Sequence, residues 1–171
     1  MITRPATLMA AEMAEQPEVL ARLGERFEEL TGEVRAVMGG RPAGVAFLAR
    51  GSSDNAALLG RYAVELYSGL PTCLVAPSLA TAYRRRPDGF AGWLVVALSQ
   101  SGRTPEIVNL AAQFSAAGAS VVAVTNDGSS ALAEEARLTI ELGAGPERAV
   151  PATKTVTSQM LAVLAVASGL G

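Results

Sequence analysis

The sequence predicts a three-layer α/β fold: a doubly wound, five-stranded parallel sheet with helices on both faces, preceded by N-terminal helices. Three observations carry this. After residue 43, short apolar runs alternate with longer helical stretches. Those runs are nearly continuous in Val, Leu and Ala, as in strands buried on both faces, and do not alternate apolar with polar. Half of the 171 residues are apolar and only 5% are aromatic, so the core is aliphatic.

The first 40 residues read as a helical segment ahead of a domain over 41–171. Within residues 6–38, Met9, Met13, Leu20, Leu23, Phe27, Leu30 and Val34 recur near the helical period, predicting two helices. Pro17, preceded by Gln16, suits a first helical position, and Gly39-Gly40 with Pro42 stops the run. Strands are expected at 45–49, 72–76, 93–98, 120–125 and 138–142. Helices are expected at 54–68, 105–117, 130–136 and 152–168, with a short turn of helix near 79–83. Right-handed crossovers then favour the flavodoxin-like order 2-1-3-4-5. The final helix is apolar on most faces, through Met160, Leu161, Val163, Leu164 and Val166. It is therefore expected to be covered by a second domain or a symmetry mate.

Composition narrows the function. Fourteen basic and 16 acidic residues leave a net charge of -2, which gives no electrostatic footprint for nucleic acid or an anionic membrane. The longest apolar stretch, 160–167, is too short to span a bilayer, and Met1–Ala10 lacks the pattern of a secretory leader. The single Cys73 lies in an apolar run and reads as a buried small hydrophobe. One thiol forms no internal disulfide, which fits a cytoplasmic location. The chain has no histidine, which removes the usual proton shuttle and the commonest metal ligand, so no metal site and no cofactor are expected.

In a sheet of this order, ligands bind beyond the carboxyl ends of the strands, between strands 1 and 3. Strand 1 runs into Arg50-Gly51-Ser52-Ser53-Asp54-Asn55 and strand 3 into Ser99-Gln100-Ser101-Gly102-Arg103-Thr104-Pro105. The two loops richest in small hydroxyl residues thus flank the predicted crevice. Thr104-Pro105 reads as an N-cap and first helical residue, so the following helix offers free amides to an anion. Gly51 and Gly102 allow the tight turns, and Ser52, Ser53, Ser99, Gln100, Ser101 and Thr104 supply donors. Glu106 must point away from such an anion. There is no dinucleotide or P-loop glycine pattern, and no serine triad is possible without histidine. Arg84-Arg85-Arg86 reads as a solvated loop face.

These strings, with Gly145-Pro146-Glu147-Arg148-Ala149-Val150-Pro151-Ala152-Thr153-Lys154 and the opening Met13-Ala14-Glu15-Gln16-Pro17, resemble the first SIS (sugar isomerase) domain of the glucosamine-6-phosphate synthase isomerase half. They are also similar to a shorter branch that holds glucosamine-6-phosphate deaminases and sugar-amine isomerases or deglycases. The resemblance implies that Ser53, Ser99, Gln100, Ser101 and Thr104 hold a phosphate, while Gly51, Ser52 and the backbone of Val150 meet the sugar. Glu147 and Lys154 would form a pair shaping the last loop, or act directly as acid and base. Arg50 and Arg103 depart from the synthase pattern and would extend toward the ligand's charge.

In the resembled enzymes most catalytic groups come from a second SIS domain. The chain is therefore expected to be the sugar-phosphate-binding part of a longer amino-sugar-phosphate isomerase or deaminase, inactive alone. Its expected partners are a sugar phosphate and a second SIS domain or homodimer mate. The competing expectation is a non-catalytic domain that senses a sugar phosphate and regulates a partner.

Overall fold

A computed structural model describes residues 7–171. The sequence reading of a leader falls largely on residues 1–6, outside the described residues. Three helices open the chain: α1 (Leu8–Ala14), α2 (Gln16–Glu25) and α3 (Phe27–Met38). The remaining elements are β1 (Val45–Leu48), α4 (Ser53–Ser68), β2 (Thr72–Val75), α5 (Ser78–Thr81), β3 (Leu94–Leu98), α6 (Pro105–Ala116), β4 (Ser120–Thr125), α7 (Ala131–Glu134), β5 (Leu138–Glu141) and α8 (Lys154–Leu170). The sheet is parallel throughout and its order is β2-β1-β3-β4-β5, as the strand–helix alternation predicts. The N-terminal run differs from expectation. It is three helices and not two, broken at Glu15 and again at Arg26, each of which ends one helix and begins the next.

The strands divide their side chains between two cores, as a period of two requires. Val45, Phe47, Leu94, Val96, Val122, Val124 and Ile140 face one layer, with α2, α3, α4 and α8. Ala46, Leu48, Val95, Ala97, Val121 and Ala123 face the other, with Ile107, Leu110 and Phe114 of α6 and Leu132 of α7. Strand β3 is buried at every position, which explains its unbroken apolar run. Val19, Leu23, Leu30 and Val34 of the N-terminal helices belong to the first of these cores.

Helix α4 approaches β1 and α8 so closely that a Cβ on Gly60 would lie 2.6 Å from the Phe47 ring and 3.0 Å from Val163. Helix α8 is the most enclosed of the described helices: only Ser168 along its length is exposed. The expectation that it needs a second domain or a symmetry mate for cover is corrected here. Helices α2, α3 and α4 of the same chain supply that cover. Cys73 is also less enclosed than expected, half-buried on the edge strand β2, where burial raises its thiol pKa. Among the described residues, no helix is long and apolar enough to cross a membrane.

Candidate functional site

The carboxyl ends of β1 and β3 open into a cavity of about 190 Å³. Its wall is formed by Arg50, Ser52, Ser53, Leu98, Ser99, Gln100, Ser101, Thr104, Ile107 and Ala152. Six of the sequence-predicted residues therefore meet in one place: Ser52, Ser53, Ser99, Gln100, Ser101 and Thr104. The geometry follows from two chain reversals. Gly51, with φ of 63°, turns β1 into α4, and Gly102, with φ of 61°, turns β3 toward α6. Gly102 is doubly constrained, because a Cβ there would overlap the Ser130 side chain and lie 2.8 Å from Thr125 Oγ1. Its own carbonyl accepts from Leu132 N at 3.0 Å, so the loop is pinned to α7.

The loops present unused donors. Among the described residues, the N–H groups of Ser53, Ser101 and Thr104 meet no protein acceptor. Ser53 and Thr104 stand at the N-termini of α4 and α6, where the helix dipole favours negative charge. Thr104 occupies the N-cap position, as its sequence context predicts, but its hydroxyl does not cap the helix. It lies 3.2 Å from Ser99 Oγ, so the two hydroxyls share one end of the cavity. Ser101 Oγ accepts from Arg103 N at 3.2 Å and keeps its own proton available.

The two arginines do not extend toward the cavity centre unpaired. Arg50 Nε lies 3.2 Å from Glu106 Oε2, and Arg103 Nη2 lies 2.9 Å from Asp127 Oδ2. Hydrogen bonds from the Ser129 hydroxyl, the Arg103 guanidinium and Ser129 N hold Asp127 below its ordinary pKa. Arg50 still lines the cavity; Arg103 does not.

The expected Glu147–Lys154 pair does not form. Glu147 Oε1 accepts from Thr153 N at 2.8 Å, Thr153 Oγ1 at 3.0 Å and Thr155 N at 3.3 Å, while Oε2 accepts from the Thr155 hydroxyl. The carboxylate thus caps α8, whose first amides carry the positive end of its dipole, in place of the uncapped Thr153. Burial alone would raise the Glu147 pKa. The bonds from the Thr155 hydroxyl, Thr153 N, Thr155 N and the Thr153 hydroxyl outweigh it and hold the group below its ordinary value. Lys154 is 2% exposed, and its Nζ lies 2.5 Å from Glu15 Oε2. Neither Glu147 nor Lys154 lines the cavity, and neither do Gly51 and Val150. Val150 is 94% exposed and precedes a cis peptide bond to Pro151; it is Ala152 of this loop that reaches the wall.

Two anchoring residues have no local signal in the sequence. Glu12 of α1 is 4% exposed and accepts from Arg148 N at 2.7 Å and Ala149 N at 3.0 Å, clamping the 147–152 loop from 136 residues away. Asn126 accepts from Ala144 N and donates to Gly145 O, both at 2.8 Å, fixing from the end of β4 the segment that leads into this loop. A wider depression of about 490 Å³ lies against Arg84, Arg85, Arg86 and Gln113 at the far end of α6, a helix length from Thr104. Among the described residues, no cluster of three or more His, Cys, Asp or Glu side chains has the arrangement of a metal site.

Comparison with known proteins shows the family. Residues 43–169 match the SIS domain family. The chain is 37% identical over 175 residues to a glutamine–fructose-6-phosphate aminotransferase (isomerizing) of Symbiobacterium thermophilum, covering 97% of this chain and 28% of that protein. A similar enzyme of Aeropyrum pernix is 37% identical over 166 residues, covering 94% of this chain and 26% of that protein. Among solved structures, a candidate phosphosugar isomerase from Silicibacter pomeroyi DSS-3 superposes with a TM-score of 0.87 at 39% identity, over 96% of this chain and 50% of that one. The C-terminal domain of the Francisella tularensis glucosamine-fructose-6-phosphate aminotransferase shares the fold, with a TM-score of 0.82 at 23% identity, over 97% of this chain and 48% of that one. The chain thus spans about a quarter of the length of the curated relatives it matches and about half of these solved chains.

Proposed function

We propose, from the premise that this chain belongs to the SIS domain family, that it is the sugar-phosphate-binding part of an amino-sugar-phosphate isomerase or deaminase acting on hexose 6-phosphates. The observation that carries this reading is the cavity wall, where Ser53, Ser99, Gln100, Ser101 and Thr104 converge between β1 and β3. Hydroxyls and amides at two helix N-termini suit a phosphate dianion, which needs several donors and tolerates the absence of lysine when the dipoles are aligned. Glucosamine 6-phosphate and fructose 6-phosphate are the proposed ligands; the second is the sugar phosphate in the name of the similar aminotransferases, the first in that of a deaminase sharing the fold. Ser52 on the wall, with the Gly51 and Val150 backbones off it, are the groups that the family resemblance assigns to the sugar hydroxyls.

Moving a carbonyl between C1 and C2 needs a base to carry a proton and an acid to assist ring opening. The chain has no histidine, and its Glu147 and Lys154 side chains are engaged in holding α8 and α2. On this reading the chain grips the phosphate end, while a second SIS domain or an identical mate supplies the proton-transferring groups. A thermal-shift series with glucosamine 6-phosphate, fructose 6-phosphate and their unphosphorylated sugars tests the binding. Stabilisation by the phosphates alone is expected, and equal response to both sets contradicts the reading.

A further inference from the structure

Resting on the phosphate reading of the cavity, the geometry points to Arg50 as a phosphate ligand held in reserve, with Glu106 as its built-in competitor. Arg50 shares the cavity wall with Ser53, Ser101 and Thr104 and, among the described residues, is the one cation on that wall. Its guanidinium is paired with a carboxylate, Nε to Glu106 Oε2 at 3.2 Å, and both side chains are partly open to solvent, at 55% and 36% exposure. A solvent-open pair of this kind is weak. A phosphate dianion carries more charge, offers several oxygens to the planar guanidinium fork and already sits on two helix N-termini. The exchange therefore runs toward the ligand: the dianion displaces Glu106 from Arg50, and the carboxylate swings out to water.

The placement of the pair favours this role. Arg50 follows β1 and Glu106 stands in the first turn of α6, so the two side chains reach toward each other across the crevice between β1 and β3. A carboxylate in that turn gains from the helix dipole but opposes an anion bound at the same terminus. Pairing with Arg50 masks Glu106 while the arginine waits. Arg103 offers a contrast. Its carboxylate partner, Asp127, is also bonded by Ser129 N and the Ser129 hydroxyl, and Arg103 is off the cavity wall. The consequence is selectivity for dianions: a ligand must carry enough charge to win the arginine.

Isothermal titration of the whole chain with inorganic phosphate and with glucosamine 6-phosphate tests the exchange, using Arg50→Gln, Arg50→Lys, Glu106→Gln and the Arg50→Gln/Glu106→Gln double variant. Glu106→Gln is expected to bind roughly three- to tenfold tighter. Arg50→Gln is expected to bind about tenfold weaker with a flatter salt dependence, and Arg50→Lys to recover part of that loss. In the Arg50→Gln background, Glu106→Gln should gain little, because no arginine remains to be released. An equal or larger gain in that background would mean plain charge repulsion and overturn the exchange. Unchanged or weaker binding by Glu106→Gln overturns it as well. If the native chain binds and Ser101→Ala weakens it while Glu106→Gln does nothing, the phosphate reading stands and this inference alone falls. If the native chain binds neither ligand, both fall.

Discussion

The Lys154 ammonium lies 2.5 Å from the Glu15 carboxylate, 139 residues earlier in the chain, and so ties the first turn of α8 to the junction between α1 and α2. The two ends of the pair differ in exposure: the lysine side chain is 2% exposed and the glutamate side chain 51%. Removing the glutamate leaves a charge buried without its partner, whereas removing the lysine leaves a carboxylate that water can reach. Glu15→Ala is therefore expected to cost about 2 kcal/mol in urea unfolding, and Lys154→Met less than about 1 kcal/mol. Equal costs, or a larger cost for Lys154→Met, would assign the ammonium a role beyond this tie.

Glu147 gives a pH signature. Its folded-state pKa lies below the ordinary carboxylate value because four hydrogen bonds to the ionised form outweigh its burial. A group depressed in this way stabilises the fold fully above its unfolded pKa, about 4.3, and loses that contribution as pH falls through the folded value. The stability difference between the native chain and Glu147→Gln should be constant above about pH 5.5 and close on acidification. Thermal unfolding from pH 7 to pH 3 measures it. A gap that persists unchanged to pH 3 would contradict capping of α8 by the ionised carboxylate.

The two turn glycines separate backbone strain from crowding. Both have φ near 60°, but nothing lies within 4 Å of a Cβ built on Gly51, while one on Gly102 meets Ser130 and Thr125. Gly51→Ala is expected to cost about 1 kcal/mol from its left-handed backbone alone. Gly102→Ala adds an overlap and is expected to cost about 3 kcal/mol. It should also weaken sugar-phosphate binding more than Gly51→Ala, because the Ser99–Thr104 loop must move. Equal losses of stability would show that the loop yields freely.

What the sequence disclosed and what it hid follow from range. The interior strands announced themselves because burial on both faces demands an unbroken apolar run, as in Leu94–Leu98. The Ser99, Ser101 and Thr104 cluster was equally visible, since a helix N-terminus and its glycine turn are written within a few residues. The break of the N-terminal run at Arg26 was not, because the apolar spacing runs on through Leu23, Phe27 and Leu30 and Gly24 alone does not end a helix; both helices there pack against α8. Nor could local spacing show that Glu12 would clamp Arg148 and Ala149, or that Lys154 would choose Glu15 over Glu147. The resemblance put Glu147 and Lys154, seven positions apart, together at the mouth of the last helix, which suggested a pair. The unfilled amides of α8 took the carboxylate instead.

If the hydroxyl-lined cavity between β1 and β3 holds the phosphate of a hexose 6-phosphate, Ser101 and Thr104 contribute directly to affinity. Isothermal titration of glucosamine 6-phosphate into the native chain and into Ser101→Ala/Thr104→Ala measures that contribution. Saturable binding is expected, which glucosamine itself does not reproduce, weakened at least about tenfold in the double variant, from two lost hydrogen bonds to a charged group. Unchanged affinity in a folded double variant would contradict it.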